Sequence, residues 1–286
     1  MSSISTKIVD LHVHSNRSDG SYTPAQLVDY ALEKGLSAFA LTDHDTFAGL
    51  DEAKNAALGK DIEVIAGMEF STEYQGKDIH ILGLYLDYKS PVFVENVKRF
   101  VDSRDLRNEK MCQKLQETGM DISYEKLIDM FPGAIITRSH FGKYMLEKGI
   151  IRSINIAFEK YIGDNCPYFV PREKVTPIEA IELIHQAGGV AILAHPTLYH
   201  MSDTRLATLL ELLSTNGLDG METIYCTYTK GEERQMRKLA DRYHLLHSGG
   251  SDFHGTTKPR LDLATGYGNL VIPEEILIKI KERLEK

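Results

Sequence analysis

The sequence predicts an α/β fold built on a parallel sheet or barrel, with a helical insertion. Two observations carry this. β-rich apolar runs alternate with helical segments at both ends of the chain, whereas the stretch from about residue 91 to 163 is almost wholly helical in pattern. Histidines and acids also fall just after apolar runs, at the strand ends where parallel α/β folds collect their reactive groups.

The elements follow in order. Ile8 to Val13 reads as a strand and Ser15 to Tyr22 as a polar loop. Thr23-Pro24-Ala25-Gln26 has the residue types of a capping box with proline in the first turn, and Gly35 ends that helix. Leu36 to Leu41 is a strand, Phe47 to Leu58 a helix, and Ile62 to Phe70 a strand. Ile79 to Leu86 is a fourth strand, reached through the Gln75-Gly76-Lys77-Asp78 turn as a hairpin. Val92 to Thr118 reads as one long helix or two, followed by helices at Tyr124 to Met130, Ser139 to Lys148 and Ile154 to Tyr161. Alternation resumes with a second capping box, Thr176-Pro177-Ile178-Glu179, whose helix ends at Gly188-Gly189. Strands at Val190 to Ala194, Leu218 to Tyr225 and Leu245 to Ser248 then alternate with helices at Thr204 to Ser214 and Lys230 to His244. Glu274 to Lys286 closes the chain as a helix. The reading divides residues 1–90 and 164–286 from the insertion, 91–163.

Composition bounds the function. Apolar content of 42% and charged content of 26% are ordinary for a soluble globular chain. The start has no apolar signal-peptide core, and no run approaches the ~18 apolar residues that span a bilayer. Cys112, Cys166 and Cys226 lack metal or redox spacing and fit reduced thiols in the cytoplasm. A net charge of −8 argues against a broad nucleic-acid face. It leaves an anionic substrate open, because two or three divalent ions would bring roughly four to six positive charges to one cleft.

The chemistry lies in Asp10-Leu11-His12-Val13-His14, Asp19, Thr42-Asp43-His44-Asp45, Glu69, His80, Ala194-His195-Pro196 and Asp252-Phe253-His254. Imidazole and carboxylate are the ligands of Mn, Fe and Zn. Nine such groups exceed one ion's needs and point to a cluster of two or three metals, which typically hydrolyses phosphate esters. His12 and His14, two apart in an extended segment, project to one side and can chelate. Asp252 and His254 repeat that spacing, with glycines nearby that permit close approach to a ligand. Asp10 is a candidate to orient a ligand. Asp43 and Asp45 flank His44, and one of them orients its ring or a metal-bound water. Asp45 or Thr46 can equally begin the helix at Phe47. Glu69 is the candidate bridge between two ions. His80, inside an apolar strand, reads by itself as a core residue. Pro196 stops its strand and projects His195. Arg138, Ser139 and His140 open a helix and make an anion site. Arg172 is a second candidate for gripping phosphate, and Arg17 either faces the cleft or pairs with acids.

These motifs resemble the PHP (polymerase and histidinol phosphatase) family of metal-dependent phosphoesterases over nearly the whole chain. The resemblance implies a distorted (β/α)7 barrel with a trinuclear centre. His12, His14, Glu69 and Asp252 would hold one ion, Glu69, His80 and His195 a second, and Asp19, His44 and His254 a third. Within the family, Ser18-Asp19-Gly20-Ser21-Tyr22-Thr23-Pro24, Thr42-Asp43-His44-Asp45-Thr46 and the helical insertion look most like the 3′,5′-nucleoside bisphosphate phosphatase and 5′→3′ exoribonuclease branch, where the insertion is a cap. That branch implies an Arg-Pro-His-like start to the cap motif, where this chain has Arg138-Ser139-His140. The expected reaction is hydrolysis of a small nucleotide's phosphomonoester by metal-activated hydroxide, without a covalent enzyme intermediate. The alternatives are histidinol-phosphate phosphatase, an exonuclease on short RNA or DNA ends, and a non-catalytic metal-binding module. An aromatic in the cap, such as Tyr168 or Phe169, would favour nucleotides by stacking on the base. A monomer is compatible with the sequence, which does not define the oligomeric state.

Overall fold

The computed structural model describes residues 7–164, 166–171 and 175–285. Seven strands lie side by side in chain order: β1 (Ile8–Val13), β2 (Leu36–Leu41), β3 (Glu63–Tyr74), β4 (Lys77–Leu84), β5 (Val190–Leu193), β6 (Gly220–Tyr225) and β7 (Leu246–Gly250). Neighbours pair in parallel except around β4, which runs antiparallel to both β3 and β5. Beyond β7 the chain reaches β1: the Asp252 N–H donates to the His12 carbonyl and the His14 N–H to the Phe253 carbonyl, each at 2.9 Å. The sheet is thus a nearly closed barrel.

The reversal at β4 positions one site residue. The hairpin turns at Gln75 and Gly76, both at positive φ (51° and 77°), as a two-residue turn with the right twist requires. Both strands extend into what the sequence shows as turn. Because β4 runs backwards, His80 near its start lies at the same barrel end as the C-termini of the parallel strands, opposite Ser71.

Barrel helices are α1 (Pro24–Glu33), α2 (Leu50–Ala57), α7 (Pro177–Gln186), α8 (Asp203–Thr215), α9 (Lys230–Arg242) and α10 (Glu274–Leu284). The capping boxes at Thr23/Gln26 and Thr176/Glu179 form, and a third forms at Thr229/Glu232. The α2 helix starts three residues later than expected, with Gly49 at its N-cap and no side-chain cap. Asp45 is engaged elsewhere.

Residues from six strands (among them Leu11, Ala40, Ile65, Leu82, Ile192 and Ile224) meet α10 in one apolar cluster, which fills the barrel floor. Alternate strand residues face outward, among them Phe39, Met68, Ile81 and Leu193, and pack against the surrounding helices. The β1–β2 ladder is irregular between Asp10 and Val13. Leu11 below joins the interior cluster and Val13 above packs outward.

The segment 91–163 holds α3 (Pro91–Gln116), α4 (Tyr124–Met130), α5 (Arg138–Glu147) and α6 (Ile154–Ala157), the last continuing into a π turn at Phe158–Ile162. The α3 helix is unbroken over 26 residues. Its first half packs Phe93, Val97 and Phe100 on the barrel's outer layer. Its second half packs Met111, Cys112 and Leu115 with α4 and α5 in a separate cluster. Among the described residues no helix is long and apolar enough to cross a membrane.

Candidate metal centre

At the open end of the barrel the nine expected ligands converge. Their donor atoms form four overlapping groups: His12/His14/Asp252, His12/Glu69/His195, His44/Glu69/His80, and His14/Asp19/His44/His254. The Nε2 atoms of His12 and His14 lie 3.0 Å apart, as the spacing of two predicts. Glu69 sits at the middle, fully buried. Its Oε1 lies 2.7 Å from His80 Nδ1 and 3.0 Å from His195 Nε2. Its Oε2 lies 3.0 Å from His44 Nδ1, 3.2 Å from His14 Nε2 and 3.3 Å from His12 Nε2. On the outer side Asp19 Oδ1 is 3.2 Å from His254 Nε2 and 3.9 Å from His44 Nε2. His80, which looked like core from its strand alone, belongs to the cluster.

The backbone is bent to deliver these groups. His195 (φ 28°) and Asp252 (φ 54°) both lie at positive φ, and a residue before proline such as His195 resists α-type geometry. Such strain persists where surrounding structure enforces it, commonly at functional sites. Gly250 permits a close approach, to β1 rather than to a ligand: a Cβ there would stand 2.2 Å from His12 Cβ.

The donor set fits divalent cations. Asp19 Oδ1 is buried and makes no hydrogen bond of good geometry. Six imidazoles and three carboxylates crowd at distances that only shared protons or cations can balance. Burial opposes charge on His12 and His14, yet the nearby carboxylates outweigh it. His12 is raised well above its ordinary value by Glu222, Glu69 and Asp252, and His14 is raised to about 9 by Asp252 and Glu69. Glu69 is held well below the carboxylate range because His44, His80 and His12 overcome its burial. Burial pulls His44 and His254 down, toward the neutral form that ligates metals. Protons and metal ions compete for these lone pairs.

Several supports were not foreseen. Glu222, buried in the middle of β6, places Oε1 3.0 Å from His12 Nδ1, and its Oε2 accepts from the His195 N–H at 2.7 Å. It therefore turns His12 Nε2 toward the centre. Tyr225 and Lys258 donate to Asp252 Oδ2 at 2.6 and 2.5 Å, leaving Oδ1 for the cluster. Asp10 accepts from the backbone of Ser251 and Ala264, both at 2.9 Å, and so holds the loop carrying Asp252 against β1.

Other expected roles change. Asp43 accepts from Ser15 N–H, Ser15 Oγ and Ser18 Oγ at 2.8, 2.6 and 2.5 Å. It braces the loop leading to Asp19, and through Ser18 Oγ, 3.4 Å from His14 Nδ1, it steadies His14. Asp45 accepts from Ser71 N–H at 2.9 Å and from Arg104 at 2.9 and 2.6 Å, and so ties the residue after His44 to β3 and α3. His140 is buried as the N3 member of a capping box, its Nδ1 accepting from the Thr137 N–H at 2.9 Å. Its ring closes the helix start and is not among the residues that line the cleft. Arg17 pairs with Glu52 at 2.7 Å, outside the cleft. Arg172 lies outside the described residues. Arg138 and Ser139 do line the cleft, but the Arg138 guanidinium is shared by Asp78 (2.8 Å) and Asp164 (2.9 Å).

The centre opens into a cavity of about 390 Å³, within the ~300–1,000 Å³ of small-ligand sites. Arg104, Arg107 and Lys258 bring positive charge to its lining, and Ile154, Phe158 and Leu198 form an apolar wall. Phe158 is the aromatic of the helical segment that lines this cavity among the described residues. Tyr168 stacks on Tyr161, and Phe169 packs against Arg138.

Comparison with known proteins agrees with this geometry. A family model described as PHP domain matches residues 10–248. A 5′-3′ exoribonuclease of Haemophilus influenzae is 38% identical over 249 residues, covering 87% of this chain and 90% of the relative. A 3′,5′-nucleoside bisphosphate phosphatase of Chromobacterium violaceum is 31% identical over 247 residues, covering 86% and 87%. A solved structure from Bifidobacterium adolescentis, described as a candidate metal-dependent phosphoesterase, superposes with a TM-score of 0.85 at 26% identity, covering 97% of this chain and 96% of that one.

Proposed function

The chain belongs to the PHP domain family, and from that premise we propose that it is a metal-dependent phosphoesterase. Its substrate is a small nucleotide: it removes the 3′-phosphate of a 3′,5′-nucleoside bisphosphate and leaves the 5′-monophosphate. The observation that carries this is Glu69, whose two oxygens each face a different set of imidazoles. A carboxylate so placed can bridge two ions, as the paired sites of phosphatases require. The donor mix suits two or three ions of Mn, Fe or Zn, which supply Lewis acidity and a nucleophile from water near neutral pH.

The chain's own residues do the rest. Glu222, Tyr225 and Lys258 fix the rotamers of His12 and Asp252. Arg104, Arg107 and Lys258 offset negative charge in the cleft, and the Ile154–Phe158–Leu198 wall offers an apolar face to a nucleoside. Cys112 and Cys226 do not act as nucleophiles, because burial pushes both thiols up to about 12. The helical segment 91–163 serves as the cap. The three free cysteines suit a reducing cytoplasm. A second reading, attack on the 5′ end of short RNA, draws support from the relative described as a 5′-3′ exoribonuclease.

The test is phosphate release from adenosine 3′,5′-bisphosphate by chelated protein, with Mn, Fe(II) or Zn added back. The expected outcome is metal-dependent release of phosphate with 5′-AMP as product, lost in Glu69→Ala. No release with any metal would overturn the substrate. Cleavage of 5′-phosphorylated RNA or of histidinol phosphate alone would then select the exonuclease or the histidinol-phosphate reading.

A further inference from the structure

The ligands of the centre are braced from two different parts of the chain. His12, His195 and Asp252 take their supports from β6 and the segment after β7: Glu222, Tyr225 and Lys258. Asp19 and His44 take further supports from the helical segment, beside the Asp43 brace of the Asp19 loop and the Thr257 hydroxyl, which donates to the Asp19 carbonyl at 3.1 Å. Thr137, the N-cap of α5, donates its hydroxyl to Asp19 Oδ2 at 3.0 Å, and Lys143 on α5 donates to the Asp19 carbonyl at 2.8 Å. Arg104 on α3 donates Nε and Nη2 to Asp45 Oδ2 at 2.9 and 2.6 Å, and Nη2 to Ser71 Oγ at 2.7 Å. Asp45 follows His44 directly, held at φ 49°, and Ser71 Oγ lies 3.4 Å from His44 Nδ1. Arg104 and Thr137 are both buried. His254, the third outer ligand, is positioned from outside the helical segment, through its Nδ1 at 2.8 Å from the Asp252 carbonyl.

We propose that the helical segment 91–163 tunes the metal affinity of the groups that contain Asp19 or His44, while His12/His14/Asp252 and His12/Glu69/His195 take theirs from the barrel. Arg104, Thr137 and Lys143 are its positioning residues. Arg104, Thr137 and Ser139 also line the cavity, so a substrate seated against this wall presses on the same elements that aim Asp19 and His44. Occupation of the wall and of the outer ion site are then coupled, each strengthening the other by the same factor. The inference rests on the metal-centre reading above.

The experiment is calorimetric titration of chelated protein with Mn(II), for the unaltered chain and for Arg104→Met, Thr137→Val and Lys143→Met. Asp19→Ala marks the class that the outer site contributes. Loss of an orienting partner typically costs ~10–100-fold in metal affinity. The three variants should lose that much in the class that Asp19→Ala removes; Thr137→Val and Lys143→Met should keep the remaining classes unchanged, and Arg104→Met should also weaken the class that shares His44 but not the one held by His12, His14 and Asp252. Thr137→Ser, which retains the hydroxyl, should bind like the unaltered chain and excludes a folding artefact. Unchanged affinity in all three variants, or equal loss in every class, overturns the inference. Failure of the metal-centre reading shows itself differently, as an unaltered chain that binds no Mn(II).

Discussion

Glu222 decides which nitrogen His12 presents to the cluster. Its carboxylate lies 3.0 Å from Nδ1, which places the ring proton there and leaves the Nε2 lone pair facing Glu69 and Asp252. A carboxylate behind a ligating imidazole also makes it more basic and typically accounts for ~10–100-fold in metal affinity. Glu222→Gln preserves volume and can still hydrogen-bond, but removes the charge. Calorimetric titration should show inner-class affinity weakened by ~10–100-fold, and unchanged binding would remove Glu222 from the design. This residue shows why part of the site was not legible. His12-Val13-His14 and Asp252-Phe253-His254 announce themselves because both ligands of each pair lie within three positions. Glu222 is one acid in the apolar strand Gly220–Tyr225, and its partner His12 is 210 positions away. Arg104 is likewise hidden among the charges of α3, and its partner Asp45 is separated from it by 59 positions. Only the folded chain, with the barrel nearly closed and α3 packed on it, brings these together.

At the scale of elements, local chemistry located helix starts well and assigned some of their residues wrongly. Thr137 begins α5 near the predicted place, but His140 is a cap member instead of a phosphate ligand. A cap of this form needs a lone pair on Nδ1, hence a neutral ring. Burial pulls the His140 imidazole down to about 4, from an ordinary 6.5. The folded state therefore binds the proton less readily than the unfolded chain. His140 contributes stability that is fully present above pH 6.5 and is lost as pH falls through about 4. Between pH 7 and pH 5 this loss is about 2 kcal/mol. His140→Gln keeps an acceptor at the capping position without titrating. Urea midpoints of chelated protein at pH 7, 6 and 5 should show the unaltered chain losing about 2 kcal/mol more than the variant. Parallel pH profiles would mean the ring is not held neutral. The hairpin of β3 and β4 was foreseen from its turn, but not that its reversal carries His80 into the centre. A period of two says which face a residue takes, not which end of a barrel a returning strand starts from. The delayed start of α2 has a similar cause: Asp45 bonds Arg104 and Ser71, partners that no local pattern reveals.

Across the whole molecule, an acidic chain of net charge −8 gathers its densest cluster of ionisable groups at one end of a barrel that is otherwise sealed by α10. The fold carries this cluster at a cost. Desolvation disfavours charge on every buried member, and backbone strain at His195 and Asp252 adds to it. Cations that bind only the folded arrangement offset that cost by mass action. Each site filled at 100 times its dissociation constant adds about 2.7 kcal/mol. In a chain of this size two or three ions should raise the unfolding midpoint on the order of 10–20 °C. Differential scanning calorimetry of chelated protein, before and after Mn(II) is restored, measures this directly. The gain should grow from pH 6 to pH 8. His12 and His14 hold protons above their ordinary range, His14 up to about 9, and an entering ion must displace them. A midpoint indifferent to both chelator and Mn(II) would mean that the nine side chains are balanced by shared protons alone. The barrel end would then be a hydrogen-bonded cluster without the Lewis acidity that phosphate ester hydrolysis needs.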